Sequence, residues 1–218
     1  MKAVLLIQHC QSVHHVTNLT GGWTDTPLTD FGRRQATAVA ARAARMIGKD
    51  PCRIYASDLQ RAWQTAEIVA RELQVEPVAA PELRENNGGI VTGKTREWAE
   101  ANINMDNWSL FDWHGFPGGE TTRQFYHRVA GWLEQLWQTH PEGEVPILVG
   151  HGGSISHVVV WWLGLPLDVL PDRHPFAGSP GGLGVLRVNR HGQRVIGVLN
   201  DLAHLRQANL EEEIPLSD

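Results

Sequence analysis

Two short apolar runs, each followed at once by a histidine and a turn, constrain the fold of this chain more than any other feature. The first run is Ala3–Ile7, which precedes Gln8 and His9, and the second is Val145–Val149, which precedes His151. Both runs are rich in β-branched and aliphatic residues, as strands of a parallel sheet buried on both faces are. We therefore expect two buried strands whose carboxyl ends bring the two histidines to one site.

Strand-like and helix-like segments alternate along the rest of the chain. Apolar residues recur at helical spacing in segments 59–73 and 125–137, whereas the last two strands flank a predicted hairpin turn at 190–193. This alternation predicts an α/β fold, a three-layer α/β/α sandwich with a mostly parallel, mixed sheet. A chain of 218 residues is long enough for a substantial core, and we expect one domain over 1–218.

Three predicted helices have recognisable starts, and one long segment has no clear pattern. Thr29 can cap a helix that ends near Ile47, and Ser57 and Thr121 each begin a capping-box spacing. Segment 86–119 is rich in Gly, Asn, Trp and His, with room for one short helix. Loops of this kind often shape a substrate pocket, so we expect a pocket-covering insertion there.

Composition and charge exclude several classes of protein. A formal net charge of -5 argues against a nucleic-acid partner, and a hydrophobic fraction of 42% with 20% charged residues is typical of a globular protein. No apolar run approaches the roughly 20 residues that span a bilayer, so we expect no membrane association. The first residues lead into a strand rather than a signal peptide, and Cys10 and Cys52 form no disulfide framework, which favours a cytoplasmic location.

Two further residues suit a phosphate site at the same strand ends. Arg61 follows a third predicted strand, Cys52–Ala56, and falls in the first turn of the next helix. Its planar fork of donors matches the oxygens of a phosphoryl group. Glu85 follows the Leu83-Arg84 pair and adds a carboxylate that can supply or remove a proton.

In their order along the chain, these motifs resemble those of the histidine phosphatase superfamily, also called phosphoglycerate mutase-like proteins. The resemblance covers almost the whole chain and implies the phosphoglycerate mutase-like fold. The family's opening motif is Arg-His-Gly-Glu-Thr/Ser. The matching stretches are His9 with Ser12, Pro27-Leu28-Thr29, Ser57-Asp58-Leu59 with Arg61-Ala62, Leu83-Arg84-Glu85, Pro117–Thr121, Val149–Gly153, and Asn200-Asp201 with His204.

The resemblance implies phosphoryl transfer in two steps through a covalent phosphohistidine, with no metal and no cofactor. His9 would be the nucleophile, Arg61 and His151 would bind the phosphoryl oxygens, and Glu85 would act as general acid and then as general base. Seven further residues are expected to bind substrate: Gln8, Ser12, His15, Gly21, Gly22, Arg84 and Gly152. For Arg84, an ion pair is an equal alternative.

The chain departs from the family motif beside the nucleophile. Gln8 stands where the family has arginine, which removes one positive charge, and loss of one such donor typically costs about 10²- to 10³-fold in rate. Protonation of His14 and His15 could restore positive charge, in which case activity would favour acidic pH. Cys10 replaces glycine, and we expect it to narrow the pocket. A metal cluster formed by His9, Cys10, His14 and His15 is a weaker alternative.

Three functions remain open at this stage. The expected one is hydrolysis of a small phosphorylated metabolite, because the segment between Glu85 and Pro117 is short and Gly153 stands where the mutases have asparagine. Phosphoglycerate mutase-type transfer is the alternative, since Gly21-Gly22-Trp23 resembles the corresponding mutase loop. A low-turnover phosphoester-binding protein is the third, on account of Gln8. A homodimer is compatible with each.

Overall fold

The computed structural model describes residues 2–106 and 108–211. Within them, six strands form a single sheet in the order β3-β2-β4-β1-β5-β6. The first four strands of that order run parallel, and β5 and β6 are antiparallel to their neighbours. The strands are β1 (Ala3–Gln8), β2 (Cys52–Ala56), β3 (Pro77–Ala79), β4 (Val145–Gly150), β5 (Leu183–Val188) and β6 (Arg194–Asp201).

Seven α-helices connect and cover the strands in the described part of the chain. They are α1 (Val13–Val16), α2 (Asp30–Ile47), α3 (Gln60–Leu73), α4 (Arg96–Asn102), α5 (Thr122–Thr139), α6 (Gly152–Leu163) and α7 (Ala203–Gln207). Short 3-10 helices occur at Pro81–Leu83, Gly89–Val91 and Leu167–Val169. None of these helices combines the length and apolar character that a bilayer crossing requires.

The sheet is covered by helices on both faces because its strands are apolar on both faces. In β1, Leu5 and Ile7 pack into one cluster with residues of α2, α3 and α7, whereas Val4 and Leu6 pack into a second cluster with residues of α5 and α6. Successive side chains of a strand point to opposite faces, so one continuous apolar run supplies both cores. The predicted three-layer α/β/α sandwich with a mostly parallel, mixed sheet is confirmed.

Two of the three predicted helix starts are confirmed, and one is wrong. Thr29 caps α2, and Thr121 forms a capping box with Gln124 at the start of α5. Helix α3 instead begins at Gln60, with Leu59 as its N-cap, so Ser57 lies outside the helix. The Ser57 Oγ accepts a hydrogen bond from the Leu59 N–H at 3.3 Å and also contacts a buried histidine described below.

Strand register brings the functional segments to one edge of the sheet. Gln8 at the end of β1 pairs with Gly150 at the end of β4, and the N–H of His9 donates to the carbonyl of Gly150 at 2.9 Å. The N–H of Ser57, just after β2, donates to the carbonyl of Val149 at 3.0 Å. The ends of three neighbouring parallel strands therefore converge, as ligand sites of open α/β sheets require.

Candidate active site

A cavity of about 590 Å³ lies at this carboxyl edge of the sheet. Most residues predicted for the site line it, and they come from β1, from the loops that follow β1 and β3, and from the starts of α3 and α6. These residues are Gln8, His9, His15, Gly21, Gly22, Arg61, Glu85 and Gly152. The fold thus gathers residues that are up to about two thirds of the chain apart in sequence.

His9 is 4% exposed, and its hydrogen bonds fix which ring nitrogen carries the proton. Its Nδ1 lies 2.8 Å from the carbonyl oxygen of Cys10. A carbonyl can only accept, so Nδ1 donates and the lone pair of the neutral ring resides on Nε2. Burial, followed by the charge of Arg61, lowers the pKa of His9 well below its usual value. The ring is therefore neutral at physiological pH, as a nucleophile must be.

Arg61 is 1% exposed and is held from three directions. Its Nε donates to Nε2 of His9 at 3.2 Å, and its Nη1 and Nη2 donate to the carbonyls of Thr24 and Gly22 at 2.8 and 2.7 Å. Burial lowers the pKa of Arg61 to about 10, so the side chain remains charged at neutral pH. Each terminal nitrogen has a second N–H, which leaves two donors for phosphoryl oxygens beside the nucleophile.

His151 is fully buried, and its ring centroid lies 4.9 Å from that of His9. Its Nε2 is 2.8 Å from the Oγ of Ser57. Ser57 Oγ also accepts from the Leu59 N–H, so it links the His151 ring to the start of α3. His151 Nδ1 has no hydrogen-bond partner in the described chain. Burial, and next the charge of Arg61, lower the pKa of His151 well below its usual value. A neutral imidazole thus lies beside His9, although His151 itself is not among the residues that line the cavity.

Glu85 lines the cavity and is anchored by backbone donors. Its Oε1 accepts from the N–H of Asn86 at 2.8 Å, and its Oε2 accepts from the N–H of Gly153, in the first turn of α6, at 2.9 Å. A β-carbon on Gly153 would lie 2.2 Å from Glu85 Oε1 and 2.8 Å from Phe125 Cε1. Glycine at position 153 is therefore required for the carboxylate to reach this helix N-terminus.

The backbone around Glu85 is held by two residues that sequence reasoning missed. Trp23 Nε1 donates to the carbonyl of Glu85 at 2.7 Å. Arg128 donates to the carbonyls of Glu82 at 2.7 Å and of Arg84 and Glu85 at 3.2 Å, and it forms an ion pair with Glu120. No local pattern indicates the role of Arg128, because the loop that it contacts lies more than forty residues earlier in sequence.

His14 and His15 approach the nucleophile but do not supply positive charge. His15 stacks on His9 with ring centroids 5.5 Å apart, and the His14 centroid lies 6.1 Å from that of His9. Burial, followed by the charges of neighbouring groups, lowers the pKa of His14 to about 3 and that of His15 to about 4. Both rings are neutral above about pH 5, so the expectation that they become cationic at mildly acidic pH is wrong. The N–H of Ser12 donates to His15 Nδ1 at 3.2 Å, which leaves a proton on Nε2 for a substrate oxygen.

Two of the residues predicted to bind substrate lie away from the cavity lining. Ser12 is fully buried, and its Oγ contacts Nδ1 of His14 at 2.8 Å, so it orients the histidine pair. Arg84 forms a bidentate ion pair with Asp58, at 2.6 and 2.5 Å, and its guanidinium lies over the ring of Trp23. The ion-pair alternative for Arg84 therefore describes the structure, because the strong carboxylate partner already occupies its donors.

Gln8 and Cys10, which flank the nucleophile and differ from the family motif, have different surroundings. Gln8 is 8% exposed and lines the cavity next to Gly152, and its Oε1 has no hydrogen-bond partner in the described chain. Cys10 is fully buried in the apolar cluster on the α2 and α3 face. The expectation that Cys10 narrows the pocket is wrong, because the chain turns after His9 and directs this side chain into the core.

Segment 86–119 contributes a wall of the cavity through apolar and aromatic side chains, among them Val91, Ile103, Trp113 and Phe116. The loop after α6 also contributes to the cavity lining, through Arg173 and His174. Sequence reasoning missed these last two residues, since a Pro-Gly-rich loop gives no periodic signal that would place it.

The sequence itself matches a known superfamily. A family model for the histidine phosphatase superfamily (branch 1) matches residues 4–201 of this chain. The chain belongs to the histidine phosphatase superfamily. This protein is accordingly an enzyme of the phosphatase and phosphoglycerate mutase-like class.

Relatives of this superfamily member include both kinds of enzyme. It is 31% identical over 174 residues to the "Probable phosphoglycerate mutase GpmB" of Yersinia enterocolitica, covering 76% of this chain and 77% of the relative. It is 29% identical over 212 residues to the "Putative phosphoserine phosphatase 2" of Hydrogenobacter thermophilus, covering 95% of this chain and 99% of the relative. A solved structure of a mycobacterial glucosyl-3-phosphoglycerate phosphatase has the same fold, with a TM-score of 0.77, 23% identity, and coverage of 91% and 98% of the two chains.

Proposed function

We propose that this protein hydrolyses the phosphomonoester of a small metabolite through a phosphohistidine formed on His9. The observation that carries the proposal is the 2.8 Å hydrogen bond from His9 Nδ1 to the Cys10 carbonyl. It leaves the lone pair of a neutral ring on Nε2, within 3.2 Å of the Arg61 Nε. Nucleophile and charge-stabilising donor are thereby adjacent at the cavity wall.

In the first step, His9 Nε2 attacks phosphorus, so that the N–P bond forms as the ester P–O bond breaks. The leaving oxygen takes a proton from the Glu85 carboxyl group. Arg61 and His151 hold the equatorial phosphoryl oxygens, and the Cys10 carbonyl stabilises the positive charge on the phosphohistidine ring through His9 Nδ1–H.

In the second step, water replaces the alcohol beside Glu85. The Glu85 carboxylate takes a proton from this water, the new O–P bond forms, and the N–P bond breaks to return neutral His9. Inorganic phosphate leaves the cavity. Fixed backbone donors from Asn86 and Gly153 keep the carboxylate in one place for both proton transfers. Because the carboxyl group of Glu85 stays in one place, it can act as the acid in the first step and as the base in the second.

Phosphoglycerate mutase-type transfer is the second candidate, supported by the mutase names among the relatives and by the loop Gly21-Gly22-Trp23. In this structure, Gly22 accepts from Arg61 and Trp23 donates to the Glu85 carbonyl, so the loop joins both halves of the site. A mutase would return the phosphoryl group to the same carbon skeleton instead of passing it to water. The two functions therefore differ only in the molecule that accepts the phosphoryl group from His9 in the second step.

Turnover of phenyl phosphate and of 3-phosphoglycerate by the purified protein tests the proposal. We expect release of inorganic phosphate, loss of at least about 10³-fold in kcat in His9→Ala, and an enzyme-bound phosphoryl label that survives alkali and is released by acid. His191→Ala, in the exposed turn before β6, is the matched control and should be unaffected.

Each other result has a defined meaning. Equal turnover by the native chain and His9→Ala would overturn the phosphohistidine proposal. Conversion of 3-phosphoglycerate to its isomer with negligible phosphate release would establish the mutase alternative. A phosphoryl label that forms and then persists for many minutes would favour the low-turnover binding protein, for which Gln8 is the structural reason.

A further inference from the structure

Four charged side chains line the cavity, and the structure holds three of them through hydrogen bonds or an ion pair. Arg61 is held beside His9, Glu85 is held by backbone N–H groups, and Glu120 pairs with Arg128. Arg173 also lines the cavity and forms no ion pair with any described residue. A second cation, separate from the one beside the nucleophile, is thus available to a bound molecule.

Arg173 stacks on an aromatic ring from segment 86–119. Its guanidinium lies 4.7 Å from the ring centroid of Trp113, and the indole Nε1 of Trp113 donates to the carbonyl of Asn104 at 2.7 Å. Stacking occupies one face of the guanidinium and leaves the N–H groups at its edge free to donate. The adjacent carboxylate, Asp172, instead accepts from the backbone N–H of His174 at 2.8 Å.

A chain of packing contacts connects the segment that carries Arg173 with Glu85, and both side chains line the cavity. The ring of His174, the next residue in the chain, is 5.9 Å from the ring of Phe125. Phe125 in turn packs against Gly153, whose N–H binds the Glu85 carboxylate. Glu85 is the group proposed to protonate the leaving oxygen. The alcohol portion of a substrate therefore extends from Glu85 toward Arg173.

The wall between these ends is apolar. Ile103 lines the cavity and is 40% exposed, and Val91, Trp113 and Phe116 lie on the same wall. An exposed aliphatic side chain at a cavity rim gains free energy when a ligand covers it. The volume of about 590 Å³ falls in the range that suits a ligand much larger than a phosphate group.

We propose that Arg173 binds a second anionic group, of carboxylate type, at the far end of a substrate whose alcohol has an apolar body. The inference rests on the proposed phosphatase function and names its substrate class. A three-carbon acid fills little of this volume and covers little of the apolar wall, so the substrate is a larger amphiphilic phosphomonoester. Arg173 and Trp113 together form the binding site for its distal charge.

Aryl phosphates that differ only at the distal position test this class. The probes are phenyl phosphate, the 3- and 4-carboxyphenyl phosphates, and 4-carbamoylphenyl phosphate as the neutral isostere. We expect the native protein to prefer at least one carboxylate over the amide by about 10- to 100-fold in kcat/KM, as a charge-assisted hydrogen bond allows. Arg173→Gln should remove this preference, so that the carboxylates and the amide have equal kcat/KM.

Arg190→Gln is the matched control, because Arg190 lies in the turn between β5 and β6, at the opposite edge of the sheet, and carries the same charge. It should retain the native preference. Absence of any carboxylate preference in the native protein, or its persistence in Arg173→Gln, would overturn the assignment of Arg173. If the native protein does not turn over phenyl phosphate, the phosphatase function itself is refuted. Failure of the Arg173 assignment and failure of the phosphatase function are therefore distinguishable.

Discussion

The hydroxyl oxygen of Ser57 lies 2.8 Å from Nε2 of His151, where β2 and β4 end side by side. Both residues are fully buried, and the serine also accepts from the Leu59 N–H. A residue whose sequence position suggested a helix cap thus holds the ring of a site histidine in one orientation. The partnership exists only because two parallel strands are neighbours.

Ser57→Ala should lower kcat for phenyl phosphate about five- to tenfold with little change in KM. One hydrogen bond to a neutral ring contributes about 1 kcal/mol, and without it the His151 ring is no longer held in one orientation. Ser156→Ala is the control, since this buried serine also accepts from a backbone N–H, that of Phe176 at 3.1 Å, but does not contact His151. Equal losses in the two variants would show that Ser57 contributes only to packing.

Gln8→Arg should raise kcat/KM for phenyl phosphate by about 10- to 100-fold, because it adds a cation beside the phosphoryl group in a cavity where the histidines are neutral. Gln8→Met, which keeps the length and removes the amide donors, should lower the same value. Steady-state assays and the inhibition constant for inorganic phosphate measure both effects. If native and Gln8→Arg proteins turn over equally, the missing charge does not limit the rate.

Arg128→Lys should reduce kcat about tenfold while KM changes little. Lysine keeps the charge opposite Glu120, but it cannot donate at once to the carbonyls of Glu82, Arg84 and Glu85 that Arg128 holds. Glu85 then loses its fixed position. Arg123→Lys is the control, because Arg123 is a half-buried arginine that pairs with two other carboxylates. A rise in KM with unchanged kcat in Arg128→Lys would contradict this positioning role.

The stability of the protein should fall between about pH 6.5 and pH 3, and His157 accounts for part of that fall. This histidine is fully buried without hydrogen-bond partners in the described chain, and burial lowers its pKa to about 3. Below its unfolded pKa of about 6.5, the unfolded chain takes up a proton that the native state does not, so folding loses free energy as pH falls.

His157→Leu removes this proton linkage while keeping a side chain of similar volume. We expect the difference in unfolding free energy between pH 7.5 and pH 5 to shrink by about 2 kcal/mol relative to the native protein. Urea unfolding at the two pH values measures it. His191→Leu, in an exposed turn, should leave the difference unchanged. An unaltered pH dependence in His157→Leu would mean that His157 is protonated in the native state.

The sequence predicted the layers of this fold well because the signals are local and repeated. The apolar runs before His9 and His151 and the helical spacing from Leu59 to Leu73 each report burial directly. The predicted site residues mostly converge for the same reason, since strand ends in a parallel sheet share one edge. The expectation for Cys10 was wrong, and that for Arg84 left two alternatives open, because the direction of a side chain after a turn depends on partners distant in the sequence.

By itself, then, the sequence determined that this protein is an α/β sandwich with His9, Arg61 and Glu85 at one edge, because strand and helix periodicity and motif order are properties of the chain. Only the tertiary structure decided which nitrogen of His9 carries the proton, that His15 is neutral, and that Arg173 lies over Trp113 with no ionic partner among the described residues. Protonation and pairing depend on burial and on contacts between distant segments, which no local pattern contains.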